Sequence, residues 1–203
     1  MCLPRELFIK DGRLCQRPIR ELDELRMNKV EHRDVTFSGV ISLDGVKGIR
    51  VDMELTLRPG DVEKLYQKFA LRFAQDDQYQ TAISFRPHES VLKVDRKFSG
   101  SRRAIIHQRR SLVDSKNGEL KLRVILDRFS VEVFVNDGEQ VMTATMYTDQ
   151  SADGISFFAD GVVNMDVVKY DLVSEGQSVS DKDNLPEEQA AKMRENKQLA
   201  KDI

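Results

Sequence analysis

Alternation with a period of two governs this chain. Leu120, Leu122, Val124 and Leu126 stand at every second position, with Lys121 and Arg123 between them. Val51, Met53, Leu55 and Leu57 alternate in the same way with Asp52, Glu54, Thr56 and Arg58, and Val131, Val133 and Val135 repeat the pattern. Successive side chains of a strand point to opposite faces, so each run predicts a strand with one apolar face and one wet face. Between the runs lie Asp44-Gly45, Pro59-Gly60, Ser99-Gly100, Asn117-Gly118, Asn136-Asp137-Gly138, Asp153-Gly154 and Asp160-Gly161. These residues tolerate positive φ or cap a turn. About ten to twelve short strands with few helices between them predict antiparallel layering rather than βαβ units. The expected fold is all-β, a two-layer antiparallel β-sandwich of the concanavalin-like jelly-roll kind, with its body over residues 30–173.

Two segments depart from that pattern. In 18–27, Ile19, Leu22 and Leu25 follow Pro18 at helical spacing, which predicts one short helix connecting N-terminal strands to the body. Residues 1–29 are therefore expected to form a junction of strands and a short helix. Residues 174–203 turn Ser-, Gly- and Asp-rich and then Glu-, Gln-, Lys- and Ala-rich, with hardly any apolar face. A polar linker and an exposed helical or disordered tail are expected there.

Composition narrows the function. The chain is 40% hydrophobic and 33% charged, the balance of a globular protein, and its net charge of -2 supplies no field for nucleic acid or acidic lipid surfaces. No apolar run approaches the roughly 20 residues of a membrane-spanning helix. Arg5 and Glu6 interrupt the apolar stretch a secretory signal would need, and Cys2 and Cys15 alone make no disulfide framework. A cytoplasmic location is the expectation.

Reactive constellations are sparse. Asp127 and Glu132 are the tempting pair of carboxylates, but they straddle a turn and strand alternation does not aim both into one cavity. His32, His88 and His107 lack ligand spacing, and Asp76-Asp77, Asp149 and Asp181-Lys182-Asp183 lack the form of a calcium loop, so no metal and no cofactor are expected. Arg102-Arg103 and Arg109-Arg110 flank an expected strand at 104–107 and read as a charged rim balanced by nearby acids, with contact to a phosphate or an acidic partner surface as the alternative. In Asn136-Asp137-Gly138 the positive φ values of a tight hairpin are available, and Glu132 and Phe134 fall on the face opposite Val131, Val133 and Val135. That face is either a surface patch or the side of the sheet that meets another domain, and a hydrogen-bonded, structural Glu132 is favoured over a binding one.

The stretch 122–147, LRVILDRFSVEVFVNDGEQVMTATMY, resembles the C-terminal signature of glycoside hydrolase family 32, the β-fructosidases. Asp127, Arg128, Ser130, Val131, Glu132, Val133, Phe134, Asn136, Asp137 and Gly138 occupy the signature positions, and Phe129 stands where many relatives carry Ser. Leu3, Pro4, Arg5, Glu6 and Leu7, then Asp11-Gly12, Gln16-Arg17-Pro18, Glu21-Leu22 and Leu25-Arg26, are similar to the family's junction between propeller and sandwich. Val94-Asp95-Arg96, Gly154-Ile155 and Ala159-Asp160-Gly161 fall in the family's order, so the likeness covers 1–173.

The resemblance implies a division of labour. Retaining glycosidases need a nucleophilic carboxylate and a carboxylic acid about 5 Å apart, and in this family both belong to a five-bladed propeller. Its Asn-Asp-Pro-Asn, Arg-Asp-Pro and Glu-Cys markers are not found here; Arg33-Asp34 runs into Val35. The implied function is a non-catalytic C-terminal module that packs on an N-terminal propeller and takes part in a subunit contact. The implied parent cleaves terminal β-fructofuranosides with retention and without a cofactor. A fructan- or sucrose-binding module and an oligomerisation domain stay open as alternatives, although Trp is absent and aromatics make up only 7%. Apolar residues around Leu3, Leu7 and Phe8 are expected to lie partly uncovered, because the preceding neighbour would meet them.

Overall fold

The computed structural model describes residues 3–61, 63–100, 107–149 and 151–173. The tail expected at 174–203, Cys2, Arg102-Arg103 and all of the 104–107 strand except His107 lie outside the described residues. The strands in chain order are β1 (Arg5–Lys10), β2 (Arg13–Pro18), β3 (Arg26–Ile41), β4 (Arg50–Pro59), β5 (Lys68–Gln75) and β6 (Thr81–Arg86). They continue with β7 (Val91–Asp95), β8 (Gln108–Leu112), β9 (Leu120–Asp127), β10 (Ser130–Val135), β11 (Gln140–Thr145) and β12 (Gly154–Leu172). The short helix expected in 18–27 is a 3-10 segment, Arg20–Leu25.

Strands β3 to β12 form one continuous ten-stranded antiparallel ladder, which divides at the shared β3–β12 pair into two sheets. One runs β11-β10-β9-β4-β12, and the other runs β12-β5-β6-β7-β8. The sharing is possible because β12 is long. Its first part, Gly154 to Asp160, pairs with β5, and its later part, Val163 to Asp171, pairs with β4. Strand β3 follows the opposite edge of both parts, from Ile41 against Phe157 to Arg26 against Leu172. Between the two parts the register with β3 shifts after Ala159 and resumes at Val163.

Asp160-Gly161 therefore forms a bulge inside one strand, where the sequence suggested a turn between strands. Gly161 at φ +98° supplies a conformation that L side chains rarely adopt, and a Cβ there would stand 2.8 Å from Tyr66 Cα. The same Asp-Gly chemistry that reverses a chain in a hairpin here only bends it, because Gln67 donates to the Asp160 carbonyl and keeps β5 alongside.

The alternating residues fill the space between the sheets. Val51, Met53, Leu55, Leu57, Leu120, Leu122, Val124, Leu126, Val131, Val133 and Val135 are all buried in one cluster with Phe69, Phe73, Phe85 and Phe157. Burial of each such side chain contributes about 1.5–3 kcal/mol relative to exposure. Tyr66 sets an edge against Phe85, with centroids 6.4 Å apart, and donates its hydroxyl to the Gly118 carbonyl at 2.7 Å. Burial pushes the Tyr66 phenol above its ordinary pKa.

Candidate functional site

The hairpin β1–β2 is a separate two-stranded sheet, paired from Arg5 against Pro18 to Lys10 against Arg13. It lies on the outer face of β10 and β11, where alternation places Glu132 and Phe134. Glu132 is 2% exposed and is held by charge and hydrogen bonds from the N-terminal segment. The Leu3 amide donates to Oε1 at 2.5 Å, and the Arg5 guanidinium donates to Oε2 through Nη2 at 2.7 Å and Nε at 3.2 Å. Arg5 also reaches Thr143 Oγ1 at 2.8 Å and Gln16 Oε1 at 3.0 Å, and stands 5.5 Å from the centre of the Phe134 ring.

The turn after β10 continues the contact. Asn136, Asp137 and Gly138 all have positive φ, which is what their residue types allow at low cost. Asn136 Oδ1 accepts from the Lys121 amide at 3.2 Å while its side-chain amide donates to the Asp114 carbonyl. Asp137 pairs with Lys10 at 2.6 Å, and that ammonium holds the Asp137 carboxyl below the usual carboxylate range. Gly138 is packed so closely under β2 that a Cβ would sit 1.8 Å from the Gln16 carbonyl oxygen.

The residues singled out in sequence thus fall into two sets. Leu3, Arg5, Glu132, Phe134, Asn136 and Gly138 are brought together at the hairpin–sheet contact. Pro4 takes part through its carbonyl, which accepts from the Ile19 amide at 3.3 Å. Glu6 points elsewhere, bonded to Arg17 at 2.7 Å and Arg20 at 3.0 Å, whose guanidinium donors lower its pKa. Leu7 is exposed. Asp127 and Arg128 sit at the β9–β10 turn, Asp127 exposed and opposite Ser130. A shallow hollow lined by Gly48, Leu126, Arg128, Phe129, Thr148 and Asp149 opens there, and neither Asp127 nor Glu132 lines it. The two carboxylates do not share a cavity, and Glu132 is occupied by cationic and amide donors.

A second charged assembly on the same face had not been singled out from the sequence. Asp52, fully buried, accepts from Arg26 Nε at 2.8 Å and from Arg123 at 2.7 and 3.0 Å. Arg26 also meets Glu54 at 2.6 Å and Arg123 meets Asp23 at 2.6 Å, so the 3-10 segment is tied to β4 and β9. Burial works against the Arg26 charge, but Asp52 and Glu54 outweigh it and hold the guanidinium above its usual value. Its signal was the set of charged residues at the wet positions of β4 and β9, but alternation gives a face and not a partner. Among the described residues, no group of three His, Cys, Asp or Glu side chains is placed to hold a metal ion, and no helix is long and apolar enough to cross a membrane.

The described residues form an antiparallel sandwich with a charged clamp on the outer face of one sheet. Comparison places it more closely. The family model described as glycosyl hydrolases family 32 C terminal matches residues 21–174, and the chain belongs to that family. It is 31% identical over 175 residues to the sucrose-6-phosphate hydrolase of Staphylococcus xylosus, covering 85% of this chain and 34% of that one. It is 34% identical over 168 residues to the raffinose invertase of Escherichia coli, covering 78% and 31%. Among solved structures, sucrose-6-phosphate hydrolase from Lactobacillus gasseri superposes with a TM-score of 0.67 at 25% identity, over 84% of this chain and 33% of that one. The exo-inulinase of Aspergillus awamori superposes at 0.71 with 18% identity, over 85% and 36%, and shows the fold alone. The chain spans about a third of the length of these curated relatives.

Proposed function

We propose that this β-sandwich is a non-catalytic module of a β-fructosidase, whose sugar chemistry belongs to a propeller preceding it in the parent chain. On this reading residues 1–29 are the junction, 30–173 the sandwich, and 174–203 an appended tail. Asp127, Arg128, Glu132, Phe134, Asn136 and Gly138 hold the structure together. The observation that carries the reading is the saturation of Glu132 by Leu3 and Arg5, since a carboxylate so engaged has no freedom to attack or protonate a glycoside. The names of the relatives, sucrose-6-phosphate hydrolase and raffinose invertase, support hydrolysis of a fructoside as the parent's activity; on this reading the substrate is a terminal β-fructofuranoside and no cofactor takes part. A cytoplasmic location fits the cysteine usage, with Cys15 buried and free.

The hairpin supports the partner. Leu7, Ile9 and Leu14 are 64%, 69% and 59% exposed on a segment otherwise clamped to the sheet, and such a patch suits a neighbouring domain or a second subunit. Assaying the purified chain for fructose release from sucrose, sucrose 6-phosphate and levan tests the first part. No turnover is expected, and an enzyme-like rate would overturn the reading.

A further inference from the structure

The outer face of the second sheet carries a cluster that the scaffold role does not use. Alternation on β5 sends Phe69, Leu71 and Phe73 into the core and Lys68, Ala70 and Arg72 outward. On β6 it sends Ile83 and Phe85 inward and Ala82, Ser84 and Arg86 outward, while Lys93 and Asp95 occupy the same outer face of β7. The register sets Ala70 beside Ser84, and Ser84 beside Lys93. A floor of small residues is thus ringed by Lys68, Arg72, Arg86 and Lys93.

Two of these cations lack an acid of their own. Lys68 Nζ and Arg72 Cζ both stand over the Phe158 ring, 5.7 and 5.5 Å from its centre, and neither forms an ion pair among the described residues. Elsewhere the partly buried cations Arg5, Arg26, Arg123 and Lys169 are each paired with a carboxylate. The acids near the cluster are committed or peripheral. Asp95 takes Lys93 at 2.9 Å together with Gln108 and the Lys97 amide, Glu89 takes Arg86 at 2.9 Å, and Asp160 is exposed opposite Lys68 in the register. Burial first, and then Lys93, Arg86 and Arg72, hold the Lys68 ammonium below its usual value, with Asp95 opposing. The like charges of Lys93, Arg86 and Arg72 thus bear on Lys68, on a chain whose net charge is -2.

Ser84 marks the centre. It is 5% exposed, and its hydroxyl has no hydrogen-bond partner among the described residues. Buried hydroxyls are normally satisfied, because an unpaired one loses its hydration without compensation. By register it lies under the ring of cations, where an anion would supply the acceptor it lacks.

We propose that the outer face of β5–β6–β7 binds a phosphate group, with Ser84 Oγ donating at its centre and Lys68, Arg72, Lys93 and Arg86 around it. Lysine ammoniums act as point charges and arginine as a fork of donors, a set that matches a compact tetrahedral dianion. The narrow floor, bounded by Phe158 on one side and the Lys93–Asp95 pair on the other, favours one small group over an extended polyanion. The site stands apart from the hairpin contact and does not depend on the parent's activity.

The test titrates the full isotopically labelled chain with inorganic phosphate, glucose 6-phosphate and glucose, at ionic strength held constant with chloride, and follows amide shifts. Saturable shifts at residues 68–72, 82–86 and 91–95 at millimolar phosphate are expected, with glucose silent. Equal binding of both phosphate ligands identifies free phosphate, and tighter glucose 6-phosphate an organic monoester. Ser84→Ala should weaken binding about fivefold. Lys68→Gln with Arg72→Gln should remove saturation, with the amide spectrum of each variant still that of the folded chain. Shifts reproduced by chloride alone, or variants that titrate like the parent, would overturn the proposal.

Discussion

Arg5 and Glu132, 127 residues apart in sequence, meet in an ion pair of 2.7 Å that joins the N-terminal hairpin to β10. With Glu132 buried and Arg5 20% exposed, the pair is shielded from most solvent screening. Removing one partner leaves the other without its counter-ion, and removal of Glu132 also deprives the Leu3 amide of its acceptor. Glu132→Ala should cost about 3 kcal/mol. Arg5→Ala should cost much the same, and the double variant should cost well below the sum of the two, because both singles break one contact. Urea unfolding of the three variants measures this, and simple additivity would contradict the clamp.

The hairpin is also locked sterically. Gly138 combines φ +91° with a backbone approach that admits no Cβ, since the Gln16 carbonyl oxygen would lie 1.8 Å away. A side chain there must distort the turn or lift β2 from the sheet. Gly138→Ala should therefore lower stability by more than about 2 kcal/mol. Hydrogen exchange should show the loss first in 13–18, while the β5–β6–β7 amides keep their protection. Uniform loss across both sheets would mean that the hairpin is not a separate unit of opening.

Much of this was legible in the sequence for a physical reason. Period-two alternation in 51–57, 120–126 and 131–135 fixes which side chains face the core, and those residues are the core. Junction and signature motifs could be quoted separately, but not that Arg5 reaches Glu132, because strand periodicity carries no information on contacts between distant segments. The Arg26–Asp52–Arg123 assembly stayed hidden for the same reason. Asp160-Gly161 misled in a different way. Positive φ is needed by bulges and by turns alike, and only the pairing of β12 with both β4 and β5 shows which one it serves.

Acid should loosen the first sheet through Asp166. The Arg58 guanidinium at 2.6 Å, and then the Asp34 amide at 2.9 Å, hold its carboxyl below the usual carboxylate range. A folded pKa below the unfolded one gives stability that is present above the unfolded value, about 4. That stability is lost as pH falls through the folded value. Asp137, lowered by Lys10, acts in the same direction. Asp166→Asn should thus cost about 1 kcal/mol at neutral pH and flatten the fall in thermal midpoint below about pH 4. An Asn variant with an unchanged acid slope would remove Asp166 from the account.

Leu7, Ile9 and Leu14 separate the stability of this chain from its proposed place in a larger one. Ile9 pairs with Leu14 across the hairpin, and Leu7 lies two positions along the same strand face, so the three form one exposed patch. Nothing within the described chain covers them, and replacing all three with Ser should change its unfolding free energy by no more than about 0.5 kcal/mol per site. Self-association by light scattering should fall, because the patch is the exposed apolar surface of the hairpin. In a longer chain that includes the proposed propeller, the same substitutions should lower the thermal midpoint, since there they would remove buried area from the proposed interface. A loss of stability in the isolated chain equal to that in the longer one would show that the patch serves the sandwich itself and not a neighbour.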